Sequence, residues 1–150
     1  MQKFAQHPVI LNISAVVLGE SATISSYAAN TVLPGQGGQL PHLDYPYYRQ
    51  FYPANNQNIM DSAPPLSFQF VTLLTDFNLD NGGTAIRPNS HHNPRYPDDK
   101  EDFYRNAIQM EGKAGDVVVF HGALQHCAMP NHSDGLRTGI LQHMAPVYIK

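Results

Sequence analysis

Gly115-Asp116-Val117-Val118-Val119-Phe120-His121-Gly122-Ala123-Leu124-Gln125-His126 is the stretch whose reading decides the fold. The β-branched run after Gly-Asp predicts a strand over Asp116–Phe120. A short polar segment then places His126. The chain next passes Asn131 and Ser133 and reaches a second apolar strand, Thr138–Tyr148, that begins near Arg137. Two strands flanking a histidine at the C-terminal end demand partners upstream.

Those partners are visible. Leu66–Thr75 is the clearest strand in the chain, apolar enough to be buried on at least one face. Ala22–Val32 reads as another, and Thr84–Arg87 as a short one that follows the turn signal Asn81-Gly82-Gly83. Gln39–Tyr45 is extended, since Pro41 pushes Leu40 out of the helical region. Residues 9–18 are so apolar that periodicity does not separate a buried helix from a strand. Leu33–Gly38 is a loop or tight turn. Pro46–Pro65, rich in Tyr, Asn, Gln and Pro, reads as a long loop of the functional or mobile kind. Asp98–Met110 accommodates a short helix with Asp98 as its capping residue. Short strands separated by turn signals describe a mainly β fold, a jelly-roll or double-stranded β-helix core with few short helices.

Composition bounds the function. The 150 residues suit one domain. Twelve Pro and eleven Gly disfavour long helices. A net charge of −3 with scattered basic residues gives no footprint for nucleic acid. The single cysteine, Cys127, excludes an internal disulfide framework and suits a reducing compartment. No apolar run is long enough for a membrane span, and the N-terminus lacks the blocks of a secretory signal. A cytoplasmic protein acting on a small-molecule substrate, with neither nucleic acid nor membrane as partner, is the expectation. The oligomeric state is left open.

Eight histidines raise the prospect of a metal. His42-Leu43-Asp44 is the strongest candidate, because on an extended segment His-x-Asp turns both side chains to one face and Leu43 to the other. His126 on a distant strand closes the triangle. Two imidazoles and a carboxylate are the ligand set of a non-haem Fe(II) site with open positions. A lone His-x-Asp is weak evidence; the ordered set is what carries weight. It runs from Gln39 and His42-x-Asp44, through Asn81-Gly82-Gly83 and Pro88-Asn89-Ser90-His91, to Gly115-Asp116, His126, Asn131-x-Ser133 and Arg137.

This set resembles the phytanoyl-CoA dioxygenase family of Fe(II)- and 2-oxoglutarate-dependent oxygenases, from His7-Pro8 to about Tyr148. The resemblance implies a jelly-roll core, Fe(II) on His42, Asp44 and His126, and 2-oxoglutarate and O2 as cosubstrates. It puts the distal carboxylate of 2-oxoglutarate on Arg137, whose planar guanidinium suits a bidentate carboxylate. Gln39 either faces the pocket or caps its loop, and Asn30 is a further candidate contact to the cosubstrate. The reaction implied is hydroxylation of an unactivated C–H bond of a small molecule or acyl-CoA. The alternative is a jelly-roll that binds metal or ligand without catalysis.

Three departures from the pattern stand out. Ala128 occupies a position where a serine often assists the arginine. The chain is short for the family, which reads as a domain over residues 1–150 lacking part of the usual N-terminal region. Asp44 is kept, which separates the chain from halogenating relatives. Among other residues, Cys127 is expected to point away from the metal. His91 and His92 are expected to order a loop, and Arg87 and Arg95 to be solvated. The aromatic cluster Tyr45, Tyr47, Tyr48, Phe51 and Tyr52 either lines a substrate mouth or packs as core.

Overall fold

The computed structural model describes residues 2–44, 65–92 and 94–149. The Pro46–Pro65 loop and the Tyr45–Tyr52 aromatic cluster therefore lie almost wholly outside the described residues. Two helices come first, α1 (Gln2–Ala5) and α2 (Pro8–Leu18), and β1 (Ala22–Val32) follows. Next among the described elements come β2 (Phe68–Leu73), β3 (Thr84–Ile86) and a 3-10 turn (Ser90–His92). The chain ends with α3 (Lys100–Asn106), β4 (Ile108–Gln109), β5 (Val117–His121), β6 (His126–Ala128) and β7 (Arg137–Pro146). The strands form a four-stranded sheet in the order β1-β7-β2-β5 and a three-stranded sheet in the order β4-β3-β6. All the pairings are antiparallel. This is the mainly β architecture that the strand pattern predicts.

The undecided segment is a helix, and its composition explains the ambiguity. Pro8 occupies the first turn, where its missing N–H costs nothing. Ile10, Ser14 and Leu18, spaced by four, form the buried face. Val9, Leu11 and Val16 are exposed and also apolar, so the outer face hides the period. The buried Ser14 hydroxyl donates to the Ile10 carbonyl at 2.8 Å and so needs no outside partner.

β7 is the spine of the large sheet, with β1 on one side and β2 on the other. Alternation sorts its residues to two faces. Ile140 and Met144 face outward; Met144 joins Phe70, Ile10 and Leu18 in a cluster that also takes in Val117 and Val119, so α2 covers that face. The inward face holds a second cluster of Val71, Leu73, Phe77, Phe120 and Leu124, with Val118 and Leu141 packed against it. Burying each such side chain contributes roughly 1.5–3 kcal/mol. The small sheet closes the other side through Ala85, Phe103 and Cys127. Cys127 is thus turned from the site, as alternation requires.

Some boundaries differ from expectation. The helix within residues 98–110 is shorter, and its cap is Asp99, whose carboxylate accepts from the amides of Glu101 and Asp102. Asp98 instead lies 3.8 Å from Arg95. The polar segment around His126 is itself a strand, β6, pairing with β3. Among the described residues no helix is long and apolar enough to cross a membrane.

Candidate metal centre

Backbone pairing brings the two histidines together. His42 N donates to His126 O at 2.9 Å and His126 N donates to His42 O at 3.0 Å, an isolated antiparallel bridge. Just beside it Gln39 N donates to Ala128 O, and Ala128 N donates to the Gln39 side-chain oxygen at 3.1 Å. The loop carrying His-x-Asp is therefore stitched onto β6 by four bonds.

The side chains converge. One ligand atom each from His42, Asp44 and His126 lies within 4.8 Å of the others. His42 Nε2 is 3.6 Å from one Asp44 oxygen, and His126 Nε2 is 3.4 Å from the other. Both imidazoles are oriented from behind: His42 Nδ1 meets Leu40 O at 2.7 Å and His126 Nδ1 meets Leu124 O at 2.9 Å. A carbonyl only accepts, so each Nδ1 carries the proton and each Nε2 lone pair faces the cluster. That is the tautomer a metal ligand needs. Burial pushes the Asp44 carboxyl up, but the hydrogen bond and charge of His126, with the charges of His42 and His143, outweigh it. The group is held below the usual carboxylate range. Burial lowers His126, and Asp44 overrides that and raises it.

Arg137 lies in the same cavity, about 120 Å³ in volume, with Asn30, Gln39, Thr84 and the three converging groups His42, Asp44 and His126. It is 1% exposed. Its Nε donates to Gly82 O at 2.9 Å, Nη1 donates to Asn30 Oδ1 at 3.1 Å, and the guanidinium lies 4.7 Å over the Phe77 ring. Nη2 is buried, with no hydrogen-bond partner among the described residues. Burial lowers its pKa to about 10. Every partner among the described residues is neutral, and a buried cation without a counter-charge is costly. A carboxylate entering this cavity would satisfy both the orphan N–H and the charge. The donor set fits an oxygen-activating divalent metal beside an organic acid.

The structure assigns specific work to residues that the sequence showed only as motif or strand positions, and to His143, which it did not single out. Gly82 has φ 81°, and an added Cβ there would meet Met129 O at 2.5 Å, so glycine alone fits where the carbonyl steers Arg137. The Asn-Gly-Gly motif is thus more than a turn. Asn131, fully buried, donates to Val32 O and Gly135 O and accepts from Ser133, building the turn that leads into Arg137. Thr84 pairs across the sheet with Ala128 and lines the cavity, a hydroxyl beside the position where a serine is missing. Ser90 Oγ donates to Arg87 O and accepts from Gln125 N, the residue before His126. His143, never singled out in the sequence, is 3% exposed and near enough to feel the Asp44 charge. Burial lowers its pKa to about 4. His91 and His92 stack on each other and His91 on His121, away from the centre. Arg87 is tied to Asp102 at 2.7 Å.

Comparison with known proteins agrees with this geometry. The profile of the phytanoyl-CoA dioxygenase family matches residues 1–139. The chain is 32% identical over 127 residues to the Fe(II)/2-oxoglutarate-dependent dioxygenase nvfF of Aspergillus novofumigatus, covering 83% of this chain and 40% of that protein. It is 29% identical over 117 residues to dioxygenase andF of Emericella variicolor, covering 77% of this chain and 38% of that protein. The chain thus spans less than half the length of these relatives. In fold it is similar to EctD from S. alaskensis, solved with 2-oxoglutarate and 5-hydroxyectoine. The TM-score is 0.77 at 19% identity, over 98% of this chain and 52% of that one. AviO1 from Streptomyces viridochromogenes gives 0.73 at 19% identity, over 98% and 61%. From its profile match over most of its length, the chain belongs to the phytanoyl-CoA dioxygenase family.

Proposed function

We propose that this chain carries the centre of an Fe(II)- and 2-oxoglutarate-dependent dioxygenase that hydroxylates an unactivated C–H bond of a small molecule or acyl-CoA. The observation that carries the reading is one cavity holding two oriented imidazoles, a carboxylate and a buried arginine whose Nη2 has no partner among the described residues. His42, Asp44 and His126 would hold the iron, and Arg137 the distal carboxylate of 2-oxoglutarate. When bound, these groups supply the oxidising chemistry: O2 is consumed, 2-oxoglutarate becomes succinate and CO2, and one oxygen atom goes to the substrate.

The protein's part is orientation. The Leu40 and Leu124 carbonyls fix the imidazole tautomers, Asp44 offsets part of the metal charge, and Gly82 with Asn30 aims the guanidinium. Gln39 acts on the same cavity by clasping Ala128. Val71, Phe120 and Leu141 supply apolar wall that excludes water from the reacting centre. The described elements pack around shared clusters, which supports reading residues 1–150 as one domain.

The test is anaerobic reconstitution with Fe(II) followed by O2. We expect iron-dependent conversion of 2-oxoglutarate to succinate that falls to background in His126→Ala. Succinate formation at the native rate in that variant would overturn the ligand assignment. Iron binding without any succinate would favour a non-catalytic binding protein.

A further inference from the structure

The cavity at the metal centre has a second lobe, and its lining is set by strand register. Three successive inward rungs cross β1, β7 and β2: Asn30–Gly139–Leu73, then Ala28–Leu141–Val71, then Ser26–His143–Gln69. The first lies beside Arg137. The last is the only one of the three with a polar side chain on every strand. Ser26, Ala28, Gln69, Leu141 and His143, with Asp44, enclose a separate volume of about 180 Å³. Asp44, Gln69 and Leu141 line both this lobe and the Arg137 lobe, so the two meet at the centre.

Size separates their occupants. Arg137 and His143 are six residues apart on one strand, roughly 20 Å at about 3.3 Å per residue. The five-carbon cosubstrate spans roughly 5 Å between its carboxyl carbons at ~1.5 Å per C–C bond. A molecule anchored at Arg137 and ending at the metal therefore does not reach the Ser26–His143–Gln69 rung. That rung is left for the second reactant. Its chemistry is also distinct. Among the described residues lining this lobe there is no Lys, Arg or Glu, and the one charged group, Asp44, is committed to the metal cluster. Hydroxyl, imidazole and amide remain as hydrogen-bonding groups, against an apolar wall of Ala28 and Leu141. Ser26 and Ala28 are exposed, so the lobe opens outward.

Resting on the dioxygenase reading above, we propose that this lobe binds the oxidised part of the primary substrate. Gln69, His143 and Ser26 select an uncharged, largely apolar molecule bearing a hydroxyl or carbonyl group. A charged acyl head or an amine is disfavoured there, since among the described residues the lobe offers no cation and its one carboxylate, Asp44, belongs to the metal cluster.

The probes are cyclohexanol, cyclohexanone, cyclohexanecarboxylate and cyclohexylammonium. Each is titrated anaerobically into protein loaded with Fe(II) and 2-oxoglutarate, and the visible absorption of the iron–2-oxoglutarate chelate is followed. The alcohol and ketone are expected to shift that absorption, and the two charged probes to do so at least tenfold more weakly. Ser26→Ala, at a position that lines this lobe and not the Arg137 lobe, should weaken the neutral probes several-fold while the chelate forms at unchanged 2-oxoglutarate concentration. Ala28→Phe, at an exposed position that does not threaten folding, should block them by filling the lobe. Preference for a charged probe, or neutral binding unaffected by Ala28→Phe, overturns the proposal while leaving the dioxygenase reading intact. Failure of the chelate absorption to form in the unaltered protein overturns both.

Discussion

Arg137 shows how a single side chain can be prepared for a ligand. Three neutral contacts hold it, and among the described residues nothing takes the donors of Nη2. A hydrogen bond to a charged group is worth about 1.5–3 kcal/mol, a factor of roughly ten to a hundred in affinity. Arg137→Met should raise the 2-oxoglutarate requirement by about that factor with Fe(II) affinity unchanged, which succinate kinetics and iron titration read separately. Thr84→Val should cost less, about two- to tenfold, if its hydroxyl takes the role of the absent serine. His121 gives a pH prediction. Burial, with the charges of His91 and His92, depresses it from 6.5 to about 4. Its Nδ1 accepts the Ala123 amide at 3.0 Å, which only the neutral ring can do. Between pH 6.5 and about 4 the unfolded chain binds more protons here than the folded one, so stability falls as pH falls through that window. His121→Asn keeps an acceptor and removes the titration. Thermal midpoints measured from pH 7 to 5 should decline less steeply in that variant.

At the scale of elements, Ser90 links a loop to the proposed metal ligand His126. Its hydroxyl bridges Arg87 O and Gln125 N, and Arg87 N donates to Gln125 O, so the 3-10 turn grips β6 one residue before His126. Outer partners of metal ligands typically matter ten- to a hundredfold in affinity. Ser90→Ala should weaken Fe(II) binding by about that amount and Ser90→Thr should restore it, as a chelator competition would measure. The same elements show what sequence can disclose. Strands β1, β2, β5 and β7 were legible because apolar or β-branched residues run between turn signals such as Gly19, Pro65, Gly115 and Gly122. The three converging residues were legible because His-x-Asp alternates on extended chain. Ser90, Gly82 and Thr84 were not, since each acts through a contact 35 or more residues away. Nor was β6, too short and too polar to carry a period. His143 was hidden for another reason: its meaning comes from standing across β7 from Ser26 and Gln69, a register that no local pattern encodes.

On the scale of the whole molecule, the outer face of the large sheet depends on α2. Ile10 is 1% exposed and packs with Phe70 and Met144. Ile10→Ala should cost about 2–5 kcal/mol, lowering the thermal midpoint by roughly 5–15 °C for a chain of this size. The site lies on the other face, so 2-oxoglutarate affinity in the folded variant should stay within about twofold. Differential scanning calorimetry with a binding titration on the same sample checks both halves.

The reciprocal His42–His126 backbone bridge has a further consequence. On the proposed ligand assignment, two of the three side chains hang from main-chain bonds that limit rearrangement to suit one ion over another, and affinity in such a nitrogen–oxygen set rises from iron through cobalt and nickel to copper. A rigid template of this kind is therefore indifferent to vocation: whichever divalent ion is plentiful takes the seat. Preparations grown in nickel- or zinc-rich medium should arrive folded, occupied and inert, and should wake only after stripping and refilling with ferrous iron.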